Sequence, residues 1–194
     1  MISNISGKLE ALGTDWAVIN VGGIGFQVHL STTAISKLGN VGSSVKVYTH
    51  LHVREDNLTL FGFIGVDELE LFKSVTSVSG IGPKLGLAML SAMDPDQIIM
   101  AIASGNADLL TGIPGIGKKT ASRIVLELKD KIGTGMMATP MAEIAQENAD
   151  VLAALTSLGY SASEITRALS SIPRDTSLTI EDKIKLALGY FEQK

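Results

Sequence analysis

The chain has 194 residues, 45% hydrophobic and 19% charged, a composition that builds packed domains and excludes a disordered polymer. It has no cysteine, which removes disulfides and thiolate metal sites, and no apolar run long enough for a membrane-spanning helix. Net charge is −4: residues 1–66 carry four Lys/Arg against four Asp/Glu, residues 67–130 six against eight, and residues 131–194 six against eight. No segment is basic overall, so any contact with nucleic acid must be made by a local patch.

The opening residues, Met1 to Gly7, lack the basic start and apolar stretch of a secretory signal, and a cytoplasmic protein is expected. Residues 1–65 then read as strands. β-branched or alternating runs at Ile2–Leu9, Trp16–Val21, Phe26–Leu30, Val45–Val53 and Leu58–Ile64 are separated by Gly, Asn and Asp. Five short strands in so short a stretch predict a small closed barrel of the OB-fold type. Gly22-Gly23-Ile24-Gly25 joins two strands rather than opening a helix, which predicts a hairpin turn with an adjoining bulge and not a nucleotide loop.

Helical periodicity takes over in residues 66–132. Asp67 and Glu68 place acids in a first helical turn, where the macrodipole favours them. Asp94-Pro95-Asp96-Gln97 combines an N-cap, a first-turn proline and a capping-box glutamine. Lys118 to Lys129 reads as the last helix of the segment. Residues 133–146, opening with Gly133-Thr134-Gly135 and holding Pro140, predict a flexible linker. Residues 147–194 predict a three-helix bundle, with capping sequences at Ser161-Ala162-Ser163-Glu164 and Thr179-Ile180-Glu181-Asp182. The fold class expected is therefore multidomain α+β: barrel, central all-α domain, and tethered bundle.

The central segment contains one device twice. Gly80-Ile81-Gly82-Pro83-Lys84 and Gly115-Ile116-Gly117-Lys118-Lys119 lie 35 residues apart, each between helices. Glycines permit a tight turn and close approach of an anion to the backbone; the isoleucine between them pins the turn by burial. Unpaired amides at the start of the following helix, with its dipole, then face a phosphate. Gly80, Gly82, Lys84, Gly115, Gly117, Lys118, Lys119 and Arg123 are accordingly the candidate DNA-binding residues. Contacts of this kind hold the backbone and do not read bases.

Two catalytic readings overlap the second copy. Gly112 to Lys118 satisfies G-x-x-x-x-G-K, but Lys119 stands where a P-loop needs Ser or Thr, and Ala107–Thr111 reads as helix rather than the required strand. Pro114 to Ala121 is similar to the hairpin of DNA glycosylases, yet no Asp or Glu falls between Lys131 and Pro140 to act as their catalytic aspartate, and Asp130 ends the same helix. No catalytic residue, cofactor or metal site is expected. His50 and His52 share a strand face without a third ligand nearby, so a surface or barrel-packing role outweighs metal binding. Phe61 and Phe63 alternate on the last strand; packing is expected, base stacking the alternative.

The order of these parts resembles the RuvA family. The resemblance spans the chain and is densest in Thr49-His50-Leu51-His52-Val53-Arg54-Glu55-Asp56, in Gly80 to Leu85, and in Leu110 to Leu128. It implies a homotetramer, alone or doubled to an octamer, that holds a four-way DNA (Holliday) junction open during branch migration, recombination, repair and the SOS response. It also implies partners: the hexameric ATPase RuvB, recruited by the C-terminal bundle, and the nuclease RuvC. Glu55 and Asp56, ordinary turn residues from sequence alone, correspond to the family's acidic pin. Arg54 is left with two roles, bracing that pin or touching DNA.

Two features strain the resemblance. The first strand carries no arginine where relatives have one or two, and Gly86 occupies a helical position better suited to alanine. A closer approach of phosphate is one reading of Gly86. In the bundle, Leu152, Leu155, Leu158 and Tyr160 are expected in the core, and the surroundings of Leu186 and Tyr190 on a partner-facing surface.

Overall fold

The computed structural model describes residues 2–133, 148–172 and 178–192; all of the expected linker except Gly133 lies outside them. The chain divides into two compact units, Met1–Ser77 with Ile81–Ala92, and Val78–Gly80 with Met93–Lys194.

In the first unit, β1 (Asn4–Leu12), β2 (Trp16–Val21), β3 (Ile24–His29), β4 (Ser44–Val53) and β5 (Leu58–Phe63) close a barrel in the order β1-β2-β3-β5-β4. Every pairing is antiparallel except β3 with β5. Alternation decides what enters the barrel: Ile5, Leu9, Ala17, Ile19, Val28, Val47 and Leu60 point inward and are buried together. The five expected strands are all present, shifted by up to three residues at their ends. Gly22 and Gly23 form the β2–β3 turn, both with positive φ (62° and 93°), and the register runs through from Val21 to Ile24. The expected bulge is therefore absent from this hairpin; the irregularity lies in β1 between Leu9 and Ala11.

The sequence reading missed α1 (Thr32–Lys37), between β3 and β4. Ser31 caps it by accepting the Ala34 amide proton, and Ala34 and Leu38 join the barrel core. Next, α2 (Val66–Thr76) lies on the barrel's outer wall. Phe61 and Phe63 face outward from β5 and are buried there, with ring centroids 5.4 and 4.8 Å from Phe72 of α2. Each such buried ring contributes about 2–3 kcal/mol, and neither is available to stack on a base. α3 (Pro83–Ala92) packs on α2 through Gly86. A Cβ there would sit 2.9 Å from Thr76 Cγ2 and 3.0 Å from Phe72 Cε2, so helix–helix contact, rather than phosphate, accounts for this glycine.

In the second unit, α4 (Pro95–Ala103) is buried from Ile98 to Ala103 and serves as the central helix. The Gln97 side chain returns to the Asp94 amide at 3.3 Å, the box read from sequence. A single 3-10 turn, Ala107–Leu110, leads to the second glycine hairpin and to α5 (Lys118–Gly133). Ala121, Ile124, Val125 and Leu128 recur at helical spacing on the buried face of α5.

Three further helices, α6 (Ala149–Ser157), α7 (Ala162–Ser171) and α8 (Ile180–Glu192), match the expected bundle. Ser161 and Thr179 cap α7 and α8, and their hydrogen bonds hold the Glu164 and Asp182 carboxyls below the usual carboxylate range. The bundle packs against α4: the Thr166 hydroxyl lies 3.4 Å from Met100 Sδ, and Asn106 Nδ2 donates to Thr156 Oγ1 at 3.1 Å. Leu152 and Leu155 are buried as expected and Tyr160 stacks on Phe191, but Leu158 is 60% exposed. No single helix among the described residues is long and apolar enough to cross a membrane.

Candidate nucleic-acid interface

The two glycine hairpins share the backbone conformation of their first glycine. Gly80 and Gly115 each adopt φ of +88°, a conformation that costs an L-residue about 1–2 kcal/mol and glycine nothing comparable. The next residues, Ile81 and Ile116, are both buried, pinning each turn as their spacing predicted. Gly82 and Gly117 then act as N-caps, their carbonyls accepting the first helical hydrogen bonds from Gly86 and Ala121 at 3.0 and 2.9 Å.

The second glycine of each pair is needed for a different reason from the first. Neither Gly82 nor Gly117 has positive φ, and a Cβ at either would meet no atom within 4 Å. Backbone conformation does not demand glycine there. What its absent side chain provides is open space over the first-turn amides, which precede any intrahelical acceptor. In α3 these are Lys84 and Leu85, Pro83 having no N–H; in α5 they are Lys118, Lys119 and Thr120. A helix N-terminus with exposed amides favours an anion through both hydrogen bonding and the dipole.

Lys84, Lys118 and Lys119 are exposed at these helix starts, and none forms an ion pair among the described residues. Their charge is thus uncompensated locally, despite the acidic total. Arg123 differs: its Nη1 donates to the Ser79 carbonyl at 3.0 Å. It therefore ties the residue entering the first hairpin to the helix opened by the second. The 44-residue separation left no sign of this bond in the sequence.

Glu55 and Asp56 form the tip of the β4–β5 hairpin. Val53 and Leu58 are the last paired residues, and the Arg54 amide donates to the Asn57 carbonyl at 2.8 Å across the turn. Both acids are exposed and unpaired among the described residues. Lower on β4, His50 stands edge-on to Phe72 at 5.6 Å, and His52 edge-on to Phe61 at 6.3 Å. Burial first, then the nearby His52 and Lys73, lower the His50 pKa below the ordinary histidine value. The histidines pack on aromatic rings, and no group of three metal-ligating side chains occurs among the described residues.

An OB-type barrel followed by two matched amide-presenting hairpins defines a helix-hairpin-helix protein of the DNA-binding class. Comparison with known proteins agrees along the chain: the RuvA N-terminal domain model matches residues 1–62, the SAM-like helix-hairpin-helix tandem 72–130, and the RuvA C-terminal domain 146–190. The protein of Dehalococcoides mccartyi described as Holliday junction branch migration complex subunit RuvA is 55% identical over 194 residues, all of both chains. Those of Herpetosiphon aurantiacus and Chloroflexus aggregans, described in the same words, are 42% and 43% identical over 98% of each chain. The chain belongs to the RuvA family.

Proposed function

We propose that this protein is a non-catalytic scaffold that binds a four-way DNA junction and serves a branch-migration complex in recombination and repair. The observation that carries this reading is the duplicated hairpin, with its shared +88° glycine and unoccupied space at Gly82 and Gly117. Amide and lysine contacts to phosphate are independent of sequence, which lets base pairs exchange at the junction while the grip persists. In this reading Gly80, Gly82, Lys84, Gly115, Gly117, Lys118 and Lys119 hold DNA, and Arg123 sets the second hairpin's helix against the first hairpin's entry.

Four copies around a four-fold axis supply eight clamps, each weak alone, that bind strongly only when four arms are present. Glu55 and Asp56 converge at the centre and repel phosphates within a Debye length of about 10 Å. ATP hydrolysis falls to RuvB, docked on the C-terminal helices near exposed Leu186; RuvC joins to resolve the junction in the cytoplasm. A gel-shift competition between a four-way junction and linear duplex of equal length tests the scaffold. Preference for the junction supports it; equal competition reduces the protein to a general duplex binder.

A further inference from the structure

Arg54 closes the acidic hairpin yet makes no ion pair with Glu55 or Asp56 among the described residues. Its Nε instead donates to His52 Nε2 at 3.0 Å. His52 lies on the outer face of β4, and Arg54, two residues on, is the first residue beyond the end of that strand. The imidazole is itself held: it stands edge-on to Phe61 (centroids 6.3 Å apart, 66° between planes), and Phe61 is buried against Phe72 at 5.4 Å. A series of packed rings from α2 through β5 to β4 thus leads, through one hydrogen bond, to a long, exposed cationic side chain.

We propose that His52 is a positioning residue that fixes the Arg54 guanidinium for contact with a DNA phosphate beside the acidic tip. Two chemical points carry this. The ring nitrogen of His52 accepts this hydrogen bond through its lone pair, so the imidazole directs the arginine's Nε edge toward itself. Engaging Nε leaves the two Nη groups as a pair, the edge that takes two oxygens of a phosphate in bidentate fashion. Left loose, the guanidinium would have the carboxylates of Glu55 and Asp56 as its nearest partners in sequence, and cation and anions would cancel. His52 keeps the attraction and the repulsion as separate, adjacent features. The DNA contact rests on the function proposed above; the positioning does not.

The test uses the full chain in four variants. His52→Phe keeps the ring against Phe61 and removes the acceptor; His52→Gln restores an acceptor; Arg54→Ala removes the cation; the fourth combines His52→Phe with Arg54→Ala. In the free protein, NMR should show an Arg54 Nε–H protected from exchange in wild type and His52→Gln, and unprotected in His52→Phe. An Arg54 signal indifferent to His52→Phe overturns the positioning. In junction binding, Arg54→Ala and His52→Phe should each weaken affinity several-fold, with the Arg54→Ala salt slope shallower by about one unit. The double variant should be no weaker than Arg54→Ala alone. Wild-type affinity in Arg54→Ala overturns the phosphate contact, and additive losses in the double variant overturn the coupling. If wild type itself prefers no junction, the scaffold reading fails, while the NMR result still decides what His52 does.

Discussion

Alanine at the first and at the second glycine of each hairpin should have opposite consequences. Gly80→Ala and Gly115→Ala force a residue with a Cβ to φ of +88°. Space is not the obstacle at Gly80, where the new Cβ would lie 3.7 Å from Arg123 Nη1, an ordinary contact. The cost is conformational, about 1–2 kcal/mol per site. For a chain of 194 residues each kcal/mol moves Tm by roughly 2–4 °C.

Gly82→Ala and Gly117→Ala face no such penalty, having neither positive φ nor any atom within 4 Å of the added Cβ. Reduced freedom of the unfolded chain favours alanine by about 0.4–1 kcal/mol, and the weaker N-cap offsets a similar amount. Stability should stay within about 0.5 kcal/mol of wild type. The methyl nevertheless occupies the approach of a phosphate to the amides. Losing one charge-assisted hydrogen bond, worth about 1.5–3 kcal/mol, weakens binding by roughly tenfold to a hundredfold per hairpin. Thermal melts and junction titrations on the same four variants separate the two effects. Wild-type affinity in a well-folded Gly82→Ala, Gly117→Ala double variant would refute the amide clamp.

Replacing Lys118 and Lys119 by alanine, on exposed positions without ion pairs, should leave Tm nearly unchanged and flatten the log–log salt dependence of binding by about two units; an unchanged slope means they touch no phosphate. Glu55→Gln with Asp56→Asn should bind the junction as tightly as wild type or tighter while altering its processing, and clearly weaker binding contradicts a repulsive tip. His50 has its pKa lowered in the fold, mainly by burial, so the unfolded chain takes up its proton first as pH falls. Its contribution is undiminished above the ordinary histidine value of about 6.5 and declines below it. His50→Gln should therefore flatten the fall of Tm between about pH 7 and pH 5, and an unaltered pH profile would show that His50 does not set it.

The elements legible in the sequence were those with local signals. Strand alternation, the capping residues at Asp94, Ser161 and Thr179, and the paired glycines depend on neighbours a few positions away, and the barrel, α4, α7, α8 and both hairpins formed where these signals stood. Helix α1 escaped because its six residues, Thr32–Lys37, are too few to show a helical period, leaving only Ser31 as a cue. Long-range features left no trace. In sequence Arg123 is one more cation, whereas in the fold it bonds the Ser79 carbonyl; Gly86 is a weak helix former in sequence, whereas in the fold Thr76 and Phe72 lie against it. The glycines of each hairpin read alike in sequence, although Gly80 and Gly115 answer to backbone conformation and Gly82 and Gly117 to open space. The apolar character of Leu158 predicts a place in the bundle core, yet it follows the last turn of α6 and lies exposed.

In the proposed function, paired hairpins grip the two strands of each junction arm through phosphate oxygens. Placing single uncharged methylphosphonates along both strands of one arm, and measuring affinity for each position, tests it most directly. A paired grip gives two short windows of sensitivity, one on each strand, which disappear together in the Gly82→Ala, Gly117→Ala variant. Sensitivity confined to one strand, or spread evenly along the arm, would contradict it.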